Sequence, residues 1–421
     1  MTQANGDNCS HQASPPPGWQ CVPLGKVGEI VSGLTLGRKL GARPTRPVPY
    51  LRVANVKDAH LDLSNVYEIQ ATEEEIVKLR LRAGDLLLTE GGDADKLGRG
   101  TLWRGELPLC IHQNHIFRVR FDPERFWPEF IAAEITSSYG KAYFLAHAKQ
   151  TTGIATINQR VLAGFPLIAP SFSEQQRIAA VLQDHMAAVE RARAAAEVRR
   201  EAATALSAAY VHAALNTAEA ARWPMRRLIE LCETEGQYGT SVRSNGDGRG
   251  VPVLGMFHIH EGRIRWQNVA CVKLSEKDQA KYLLRKGDLL FNRTNSAELV
   301  GKTAVYDLDR QALFASYLIR FRINRHLADP RFVSFFMNSE QGRRFIERKM
   351  ARAIGQVNIS ASTIHQMPMP APDLAVQQQI CEWLGDKMAS AATLRSVIRS
   401  ELEAIRALPS TLLQRAFSGS L

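Results

Sequence analysis

The chain has 421 residues, of which 45% are hydrophobic, and it carries a formal net charge of +11 with a sequence pI of about 9.5. This length exceeds a single ordinary domain, and no apolar run reaches the roughly 18 residues of a membrane-spanning helix. The positive charge favours a polyanionic partner such as nucleic acid. Residues 1–17 are polar and proline-rich without a signal-peptide pattern, which predicts a disordered tail on a cytoplasmic protein with no membrane partner.

Residues 18–170 have the mixed pattern of an α/β (α+β) domain. Short β-branched runs predict strands at residues 48–56 and 85–88, and alternating polarity predicts a basic strand at the end of residues 110–121. A helix is predicted over residues 137–153. A glycine-containing loop bounded by prolines then closes the domain at residue 170.

The stretch SFSEQQRI at residues 171–178 predicts the start of a long helix, with Ser173 as N-cap and Gln176 at the third helical position. This helix is expected over residues 171–215. Alternate steps of four and three residues from its first isoleucine give a heptad seam. The predicted seam residues are Ile178, Leu182, Val189 and Leu206.

The second half of the chain repeats the first. LRAGDLLLTEG at residues 81–91 returns as LRKGDLLFNRT at residues 284–294, and TGIATINQRVLAGFPLIAP at residues 152–170 aligns with IGQVNISASTIHQMPMPAP at residues 354–372. Such nearly constant offsets indicate a tandem duplication. We therefore predict a second domain of similar fold over residues 216–372 and a second long helix over residues 373–421, with Asp373 as its cap. Its predicted seam residues are Ile380, Leu384, Leu394, Ile398, Ile405 and Leu408.

The two heptad seams predict that the long helices pack against each other. The alternative is that each helix lies on its own domain as an ordinary amphipathic helix. Five heptads span roughly 55 Å, which is longer than a domain of this size needs. The length therefore favours pairing of the two helices.

No catalytic or metal-binding motif is complete. The GKT at residues 301–303 lacks the earlier glycine of a phosphate-binding loop, because Ser296 stands in its place. Strand alternation puts Cys110 and His112 on one face and His115 on the other, which does not suit a metal site. We predict no catalytic residue, no metal and no bound cofactor, and we expect a binding protein.

Basic and amide side chains recur at equivalent places in the two halves. The loops after the repeated GDLL strands differ most between the halves and offer groups suited to base edges. A helix predicted over residues 339–356 puts Arg344, Arg348 and Arg352 on one face, which suits phosphate contact; a solvated surface helix is the alternative. The predicted DNA-binding residues are Arg52, Asn55, Lys96, Arg99, Lys149, Gln150 and Thr152 in the first half, and Asn292, Arg293, Asn295, Lys302, Arg344, Arg348, Arg352, Gln356 and Asn358 in the second.

This ordered set of motifs, present twice, resembles the specificity subunit of type I restriction-modification systems. The resemblance runs from about residue 18 to the end of the chain. It depends on the L-x-x-G-D-L-L segments, the Gly-x-x-x-Ile loops that end in Pro-x-x-x-Pro, the EQQ-I helix start and the final LLQRAFSGSL. The second helix departs from the pattern, because Ala375-Val376-Gln377 stands where a Glu-Gln pair is usual.

The resemblance implies two target-recognition domains at the ends of an antiparallel coiled coil with pseudo-twofold symmetry. Each domain would read one half of a bipartite, asymmetric site in double-stranded DNA, and the coiled coil would set the gap. Two methyltransferase subunits would bind this chain, and the resemblance also allows restriction subunits. S-adenosylmethionine, ATP and Mg²⁺ would then belong to those partners.

Two other classes of protein stay open on the sequence. A fused DNA methyltransferase or nuclease would modify or cut DNA by itself. A non-enzymatic coiled-coil scaffold would show no sequence preference on DNA.

Overall fold

The structure is a computed structural model that describes residues 15–39, 41–92, 97–151, 154–244, 248–353 and 356–421. Residues 1–14 of the predicted tail lie outside these ranges. The chain divides into two compact units: unit 1 comprises Met1–Glu197 with Ser400–Leu421, and unit 2 comprises Val198–Arg399. No helix of the described ranges combines the length and the apolar character needed to cross a membrane.

Unit 1 is built on a four-stranded antiparallel sheet. Its elements are β1 (Gln20–Pro23), β2 (Gly28–Ser32), β3 (Arg46–Leu51), β4 (Tyr67–Ala71), α1 (Glu73–Leu79), β5 (Leu86–Thr89), β6 (Gly91–Gly92), β7 (Gly100–Leu102), β8 (Ile111–His112), β9 (Ile116–Phe121), α2 (Pro128–Thr136), α3 (Ser138–His147), β10 (Lys149–Thr151), β11 (Ile154–Thr156), α4 (Gln159–Ala163), β12 (Pro166–Ala169) and the first part of α5 (Phe172–Leu215). The sheet has the order β2-β9-β5-β7, a second sheet has the order β4-β3-β8, a ribbon has the order β10-β11-β6, and β1 pairs with β12.

Unit 2 has the same four strand arrangements. Its elements are β13 (Met225–Arg227), β14 (Gln237–Tyr238), β15 (Val251–Leu254), β16 (Ile259–His260), β17 (Arg263–Ile264), β18 (Ala270–Val272), α6 (Glu276–Tyr282), β19 (Asp288–Asn292), β20 (Thr294–Asn295), β21 (Thr303–Val305), β22 (Leu313–Phe314), β23 (Leu318–Arg322), α7 (Pro330–Asn338), α8 (Glu340–Lys349), β24 (Ala351–Ala353), β25 (Gln356–Asn358), α9 (Ala361–His365), β26 (Pro368–Pro370) and the first part of α10 (Leu374–Phe417). The orders are β14-β23-β19-β21, β18-β15-β22, β20-β25-β24 and β13-β26, and β16 and β17 form an additional hairpin.

The repeated Gly-Asp pair forms the turn into the central strand of each unit. Gly84 has a φ of +90°, which favours glycine because other side chains are strained there. Asp85 is buried, and both of its carboxylate oxygens accept hydrogen bonds from Arg120 at 2.7 Å. In unit 2 the carboxylate of Asp288 accepts from Arg322 at 3.1 Å. These segments therefore serve the fold, because the ion pair ties the turn to the neighbouring strand.

A buried glutamine fixes the start of α5 to unit 1. The Oε1 of Gln175 accepts the N–H of Trp127 at 2.9 Å, and its Nε2 donates to the carbonyl of Pro170 at 3.0 Å. The predicted cap at Ser173 is wrong, because the helix begins at Phe172 and Ser173 lies inside its first turn. The glutamine side chain, and not a serine hydroxyl, attaches this helix start to the rest of the unit.

The start of α10 is attached to unit 2 in the same way. Gln377 is buried, its Oε1 accepts the N–H of Asp329 at 2.9 Å, and its Nε2 donates to the carbonyls of Pro372 and Leu327 at 2.8 and 3.2 Å. The helix begins directly after Asp373, the residue that the sequence predicts as its cap. The departure from the Glu-Gln pattern in this helix therefore leaves the glutamine contact intact.

The far end of each long helix is part of the core of a unit in which it does not begin. In unit 2, Val211 and Leu215 of α5 pack with Phe332 in the main hydrophobic cluster. In unit 1, Phe417 of α10 meets Phe130 with ring centroids 5.3 Å apart. Each unit therefore completes its core with the end of a long helix, and in unit 1 that helix end is distant in sequence from the rest of the unit.

The helix segments within unit 1 run in opposite directions. Arg177, near the start of α5, donates to a main-chain oxygen of Leu421 at 2.9 Å. Further along α5, Glu197 lies 3.6 Å from Arg406. Residue numbers thus rise along one segment as they fall along the other.

Unit 2 shows the same relation. Ser207 of α5 accepts a hydrogen bond from Arg395 of α10 at 3.1 Å. Three residues later, Tyr210 meets Trp383 edge to face with ring centroids 5.9 Å apart. Both contacts fit antiparallel neighbours.

The buried side chains of the long helices correct the predicted seam. One position per heptad is buried as expected in both helices, and in α10 the other seam position lies one residue later than predicted, so that Cys381 and Leu402 are buried. Leu394 and Leu408 are 43% and 42% exposed and do not belong to the seam, while Leu206 and Ile380 are half-buried. Both helices are rich in alanine, so the positions three and four residues after a seam residue differ little in hydrophobicity. The sequence pattern therefore does not show which of the two positions is buried. The buried positions spaced seven apart are Leu182, Val189, Ala196 and Ala203 in α5, and Leu384, Ala391, Ile398 and Ile405 in α10.

We expect Gln175→Ala to destabilise the protein by about 2–4 kcal/mol, because it leaves the N–H of Trp127 and the carbonyl of Pro170 buried without a partner. The matched control is Gln176→Ala, since Gln176 is exposed at the adjacent position. Urea unfolding followed by tryptophan fluorescence compares the two variants. Equal unfolding midpoints would contradict a special role for Gln175.

A buried carboxyl group should make the stability of unit 1 fall as the pH rises. Glu134 of α2 is fully buried, and burial raises its pKa well above the usual 4.5, although its Oε1 accepts the N–H of Ile168 at 2.7 Å. The folded chain therefore holds a proton that the unfolded chain releases as the pH rises. The stability that this proton contributes is present below the unfolded pKa and is lost above it, by up to about 1.4 kcal/mol per pH unit.

The variant Glu134→Gln keeps the hydrogen-bond acceptor and cannot ionise. We expect its free energy of unfolding to fall less steeply than that of the parent between about pH 5 and about pH 8. Glu124→Gln, at an exposed position just before α2, is the control and should follow the parent. Parallel curves for the parent and Glu134→Gln in urea titrations would refute the assignment.

Candidate nucleic-acid interface

Each unit presents divergent side chains at the end of its central strand. Glu90 follows β5 and Arg293 follows β19, at equivalent positions of the repeat. The N–H of Glu90 donates to the carbonyl of His115 at 2.9 Å, and that of Arg293 to the carbonyl of Tyr317 at 3.0 Å. The carbonyls of Glu90 and Arg293 each accept the N–H of the isoleucine that follows the ribbon, at 2.8 and 3.0 Å. The backbone of this position is therefore held identically in the two units.

In unit 1 this position carries an acidic side chain that is paired with a histidine. Oε2 of Glu90 lies 2.5 Å from Nδ1 of His115, and both side chains are partly exposed. The Nδ2 of Asn114 lies 3.4 Å from the other nitrogen of the same imidazole. At the end of β3, the guanidinium carbon of Arg52 lies 3.3 Å from the ring centroid of Tyr67. This arrangement offers both hydrogen-bond acceptors and a stacked cation.

In unit 2 the same position carries a cation. The guanidinium carbon of Arg293 lies 4.8 Å from the ring centroid of Tyr238, and its Nη2 donates to Oδ1 of Asn358 at 3.3 Å. Its Nε has no hydrogen-bond partner in the described part of the chain. Tyr238 and Tyr317 are both exposed, and the ring of Tyr238 lies against the guanidinium of Arg293.

The helices predicted over residues 137–153 and 339–356 end early. Helix α3 ends at His147 and α8 at Lys349; the next residue in each case has an extended backbone, and the chain continues into the ribbons. In the ribbons β11 pairs with β6, and β25 with β20. Arg352 lies in β24, so its predicted place on one helix face with Arg344 and Arg348 is wrong. Pairing with a strand distant in sequence overrides the local helical pattern.

Helix α8 still presents basic side chains. Arg348 is exposed, and Arg344 is exposed and pairs with Glu340 one turn earlier. Arg343 points the other way: it donates to the carbonyls of Val300 and Glu298, and burial lowers its pKa from the usual value. Arg343 therefore anchors the loop that precedes β21, which leaves Arg344 and Arg348 available to a polyanion.

The described residues contain no group of three or more His, Cys, Asp or Glu side chains that could hold a metal ion. His112 is buried, and burial lowers its pKa to about 4. Its Nδ1 lies 3.0 Å from the carbonyl of Ile116. A neutral, buried imidazole of this kind belongs to the core of unit 1.

Comparison with known proteins decides the class. No protein-family model matches the chain. The chain is 24% identical over 426 residues to the specificity subunit of the type I restriction enzyme StySPI of Salmonella potsdam, covering 96% of this chain and 90% of that protein. It is also 24% identical over 433 residues to the EcoKI specificity subunit of Escherichia coli (strain K12), with the same two coverages. The predicted resemblance to type I specificity subunits is confirmed.

The fold agrees with this result. The crystal structure of the HsdS subunit from Thermoanaerobacter tengcongensis matches this chain with a TM-score of 0.65, 19% identity, and coverage of 98% of this chain and 99% of that one. A match at this identity concerns the fold. The mixed α/β architecture with long helices is thus shared with a solved member of the type I specificity subunits.

Two of the predicted DNA-binding residues make contacts within the fold. Asn55 is buried in a turn after β3, where its Nδ2 donates to the carbonyls of Asp62 and Asn65 at 2.8 and 3.1 Å. The strand predicted over residues 48–56 ends at Leu51, because residues 53–55 form this turn. Asn292 is also buried, and its Nδ2 donates to Leu299. Burial contradicts a direct DNA contact for both asparagines.

The other predicted residues have mixed surroundings. Lys149 is exposed, Arg99 and Lys302 are half-buried, and Oδ1 of Asn295 accepts the N–H of Ser296 at 2.8 Å. Lys96 and Thr152 lie outside the described residues, and Gln150, Arg352 and Gln356 are described only by their backbone in the ribbons.

Several basic side chains lie near the additional hairpin of unit 2. Burial lowers the pKa of His260 in this hairpin, and the positive charge of Arg265 lowers it further. The charges of Lys302 and Arg395 also lower this pKa, whereas the charge of Glu261 raises it. The Nη2 of Arg395 donates to the carboxylate of Glu261 at 3.0 Å. Lys302 thus belongs to a locally positive surface, which is compatible with its prediction as a DNA-binding residue.

Sequence reasoning missed Glu90 and Tyr238 and considered His115 only as a metal ligand. A signal for Glu90 was present, because the repeat aligns this acid with Arg293, so that the charge at this position reverses between the two halves. Tyr238 gave no such signal, since its place beside Arg293 depends on the pairing of β14 with β23.

Proposed function

We propose that this chain is the DNA sequence-specificity subunit of a type I restriction-modification complex. The observation that carries the proposal is the similarity to type I specificity subunits along 96% of the chain. The exposed basic and amide side chains of both units and the net charge of +11 support binding to double-stranded DNA.

In this proposal each unit reads one half of a bipartite, asymmetric DNA site. The target-recognition domains comprise residues 18–170 and 216–372. Support comes from the identical backbone hydrogen bonds at Glu90 and Arg293, which carry opposite charges. One scaffold with different side chains suits the reading of two different half-sites.

The long helices form the spacer in this proposal, as an antiparallel coiled coil over residues 171–215 and 373–421. Support comes from the opposed contacts of Arg177 with Leu421 in unit 1 and of Ser207 with Arg395 in unit 2. Helices α5 and α10 have 44 residues each, or roughly 66 Å at 1.5 Å per residue. A rigid spacer of this kind would set the unread gap between the half-sites, and a tandem duplication would give it pseudo-twofold symmetry.

The proposed partners are two methyltransferase subunits, with restriction subunits as a further component. S-adenosylmethionine, ATP and Mg²⁺ would bind to those subunits, and this chain would supply only the choice of sequence. The helix surfaces outside the seam, including the exposed Leu394 and Leu408, are available to such partners.

The test is to express the chain together with a type I methyltransferase subunit in a host without other adenine methylation and to map methylated sites. We expect one bipartite, asymmetric motif that depends on both chains. Methylation or cleavage by this chain alone would favour the fused enzyme, and methylation without a sequence motif would favour the scaffold.

We expect Arg348→Ala to weaken binding to all DNA sequences by a similar factor and to reduce the salt dependence of the binding constant by about one ion, as a lost phosphate contact does. Arg348→Lys keeps the charge and is the matched control. Fluorescence anisotropy with specific and unrelated duplexes at several salt concentrations measures both effects. An unchanged salt slope for Arg348→Ala would remove this residue from the interface.

A further inference from the structure

We propose that the position occupied by Glu90 in unit 1 and by Arg293 in unit 2 determines the base that each unit reads, with Arg293 selecting a guanine and Glu90 a cytosine. This inference rests on the proposed function and deepens it by assigning base classes to two named side chains.

The first support is the equivalence of the two backbones. Strands β5 and β19 are buried central strands, and the residue after each is held by one N–H and one carbonyl hydrogen bond of nearly equal length. The position therefore cannot adjust its backbone to accommodate different partners. What differs between the units is the side chain, and the two side chains have opposite charge.

The second support is the preorganisation of Arg293. Its guanidinium is held over the face of Tyr238 and donates one hydrogen bond to Asn358. A guanidinium held flat in this way loses little conformational entropy on binding. Its planar fork of donors matches the two acceptors, O6 and N7, that guanine presents in the major groove.

Glu90 offers the complementary chemistry. One carboxylate oxygen contacts Nδ1 of His115, whose N–H offsets part of the negative charge that DNA phosphates would repel. A carboxylate accepts hydrogen bonds and donates none, so that it suits the N4 amino group of cytosine and not the O6 and N7 of guanine.

The surroundings of both positions fit a DNA duplex. In unit 2, Phe257 is 79% exposed and Tyr317 is exposed, while Lys302 contributes positive charge beside the hairpin. In unit 1, Lys149 is exposed at the start of the ribbon. Both units thus offer a cation for phosphates, and unit 2 also exposes aromatic side chains that suit thymine methyl groups or sugars.

The test uses the full chain with its methyltransferase and maps the methylated motif of each variant. We expect Arg293→Ala to lower the preference for guanine at one position of one half-site by roughly ten-fold or more, with the other half-site unchanged. The control Arg226→Ala removes an exposed arginine of β13 in the same unit and should leave the motif intact.

A second pair of variants separates base reading from folding and from general charge. Arg293→Lys keeps the charge without the fork and should relax the same guanine position at nearly the parental DNA affinity. Glu90→Gln changes the carboxylate to an amide of the same shape and should shift one position of the other half-site from cytosine towards adenine. The control Glu106→Gln, at an exposed acid of the same unit, should leave that half-site unchanged.

The outcomes distinguish this inference from the proposed function. If the parent chain directs a bipartite motif and the Arg293 and Glu90 variants leave every position of that motif unchanged, the assignment of bases is wrong and the proposed function stands. Equal weakening of both half-sites by Arg293→Ala would also overturn the assignment, because it would indicate a phosphate contact. Absence of any motif with the parent chain would instead refute the proposed function.

Discussion

The rest of the structure depends on a buried glutamine at the start of each long helix. Gln175 and Gln377 each accept one backbone N–H from the turn before a short helix and donate to the proline carbonyl just ahead of the long helix. These bonds fix the direction in which the helix leaves its unit, because buried amide groups that lose their partners carry a large energetic cost. A helix of 44 residues multiplies any angular error at its start, so the direction needs a rigid attachment.

The end of each long helix is part of the core of a unit in which that helix does not begin. Phe417 packs on Phe130 in unit 1, and Val211 and Leu215 belong to the same hydrophobic cluster as Phe332 in unit 2. Truncation of either helix would therefore expose a core as well as shorten a spacer. Such an arrangement couples the stability of each proposed reading domain to the element that would set the distance between half-sites.

The two units share the features that hold the fold and differ in a side chain at the end of the central strand. The Gly-Asp turns, the central sheets and the glutamine contacts recur in both units, while the residue after the central strand changes from Glu90 to Arg293. In the proposed function this division would let base preference change at one position without disturbing the fold. The opposite charges of Glu90 and Arg293, on equivalent backbones, are the clearest example of this division.

The sequence by itself determined the repeat, the starts of both long helices and the seam positions that recur every seven residues, because these features depend on local pattern. It did not determine the second seam position, since alanine-rich helices give little hydrophobic contrast between neighbouring faces, or the end of α8, where Arg352 joins a strand. The predicted DNA contacts that the structure describes divide in the same way: exposed Arg348 was readable from its helix, whereas the burial of Asn55 and Asn292 was not. Only tertiary structure decided these points, because strand pairing and burial join residues that are far apart along the chain.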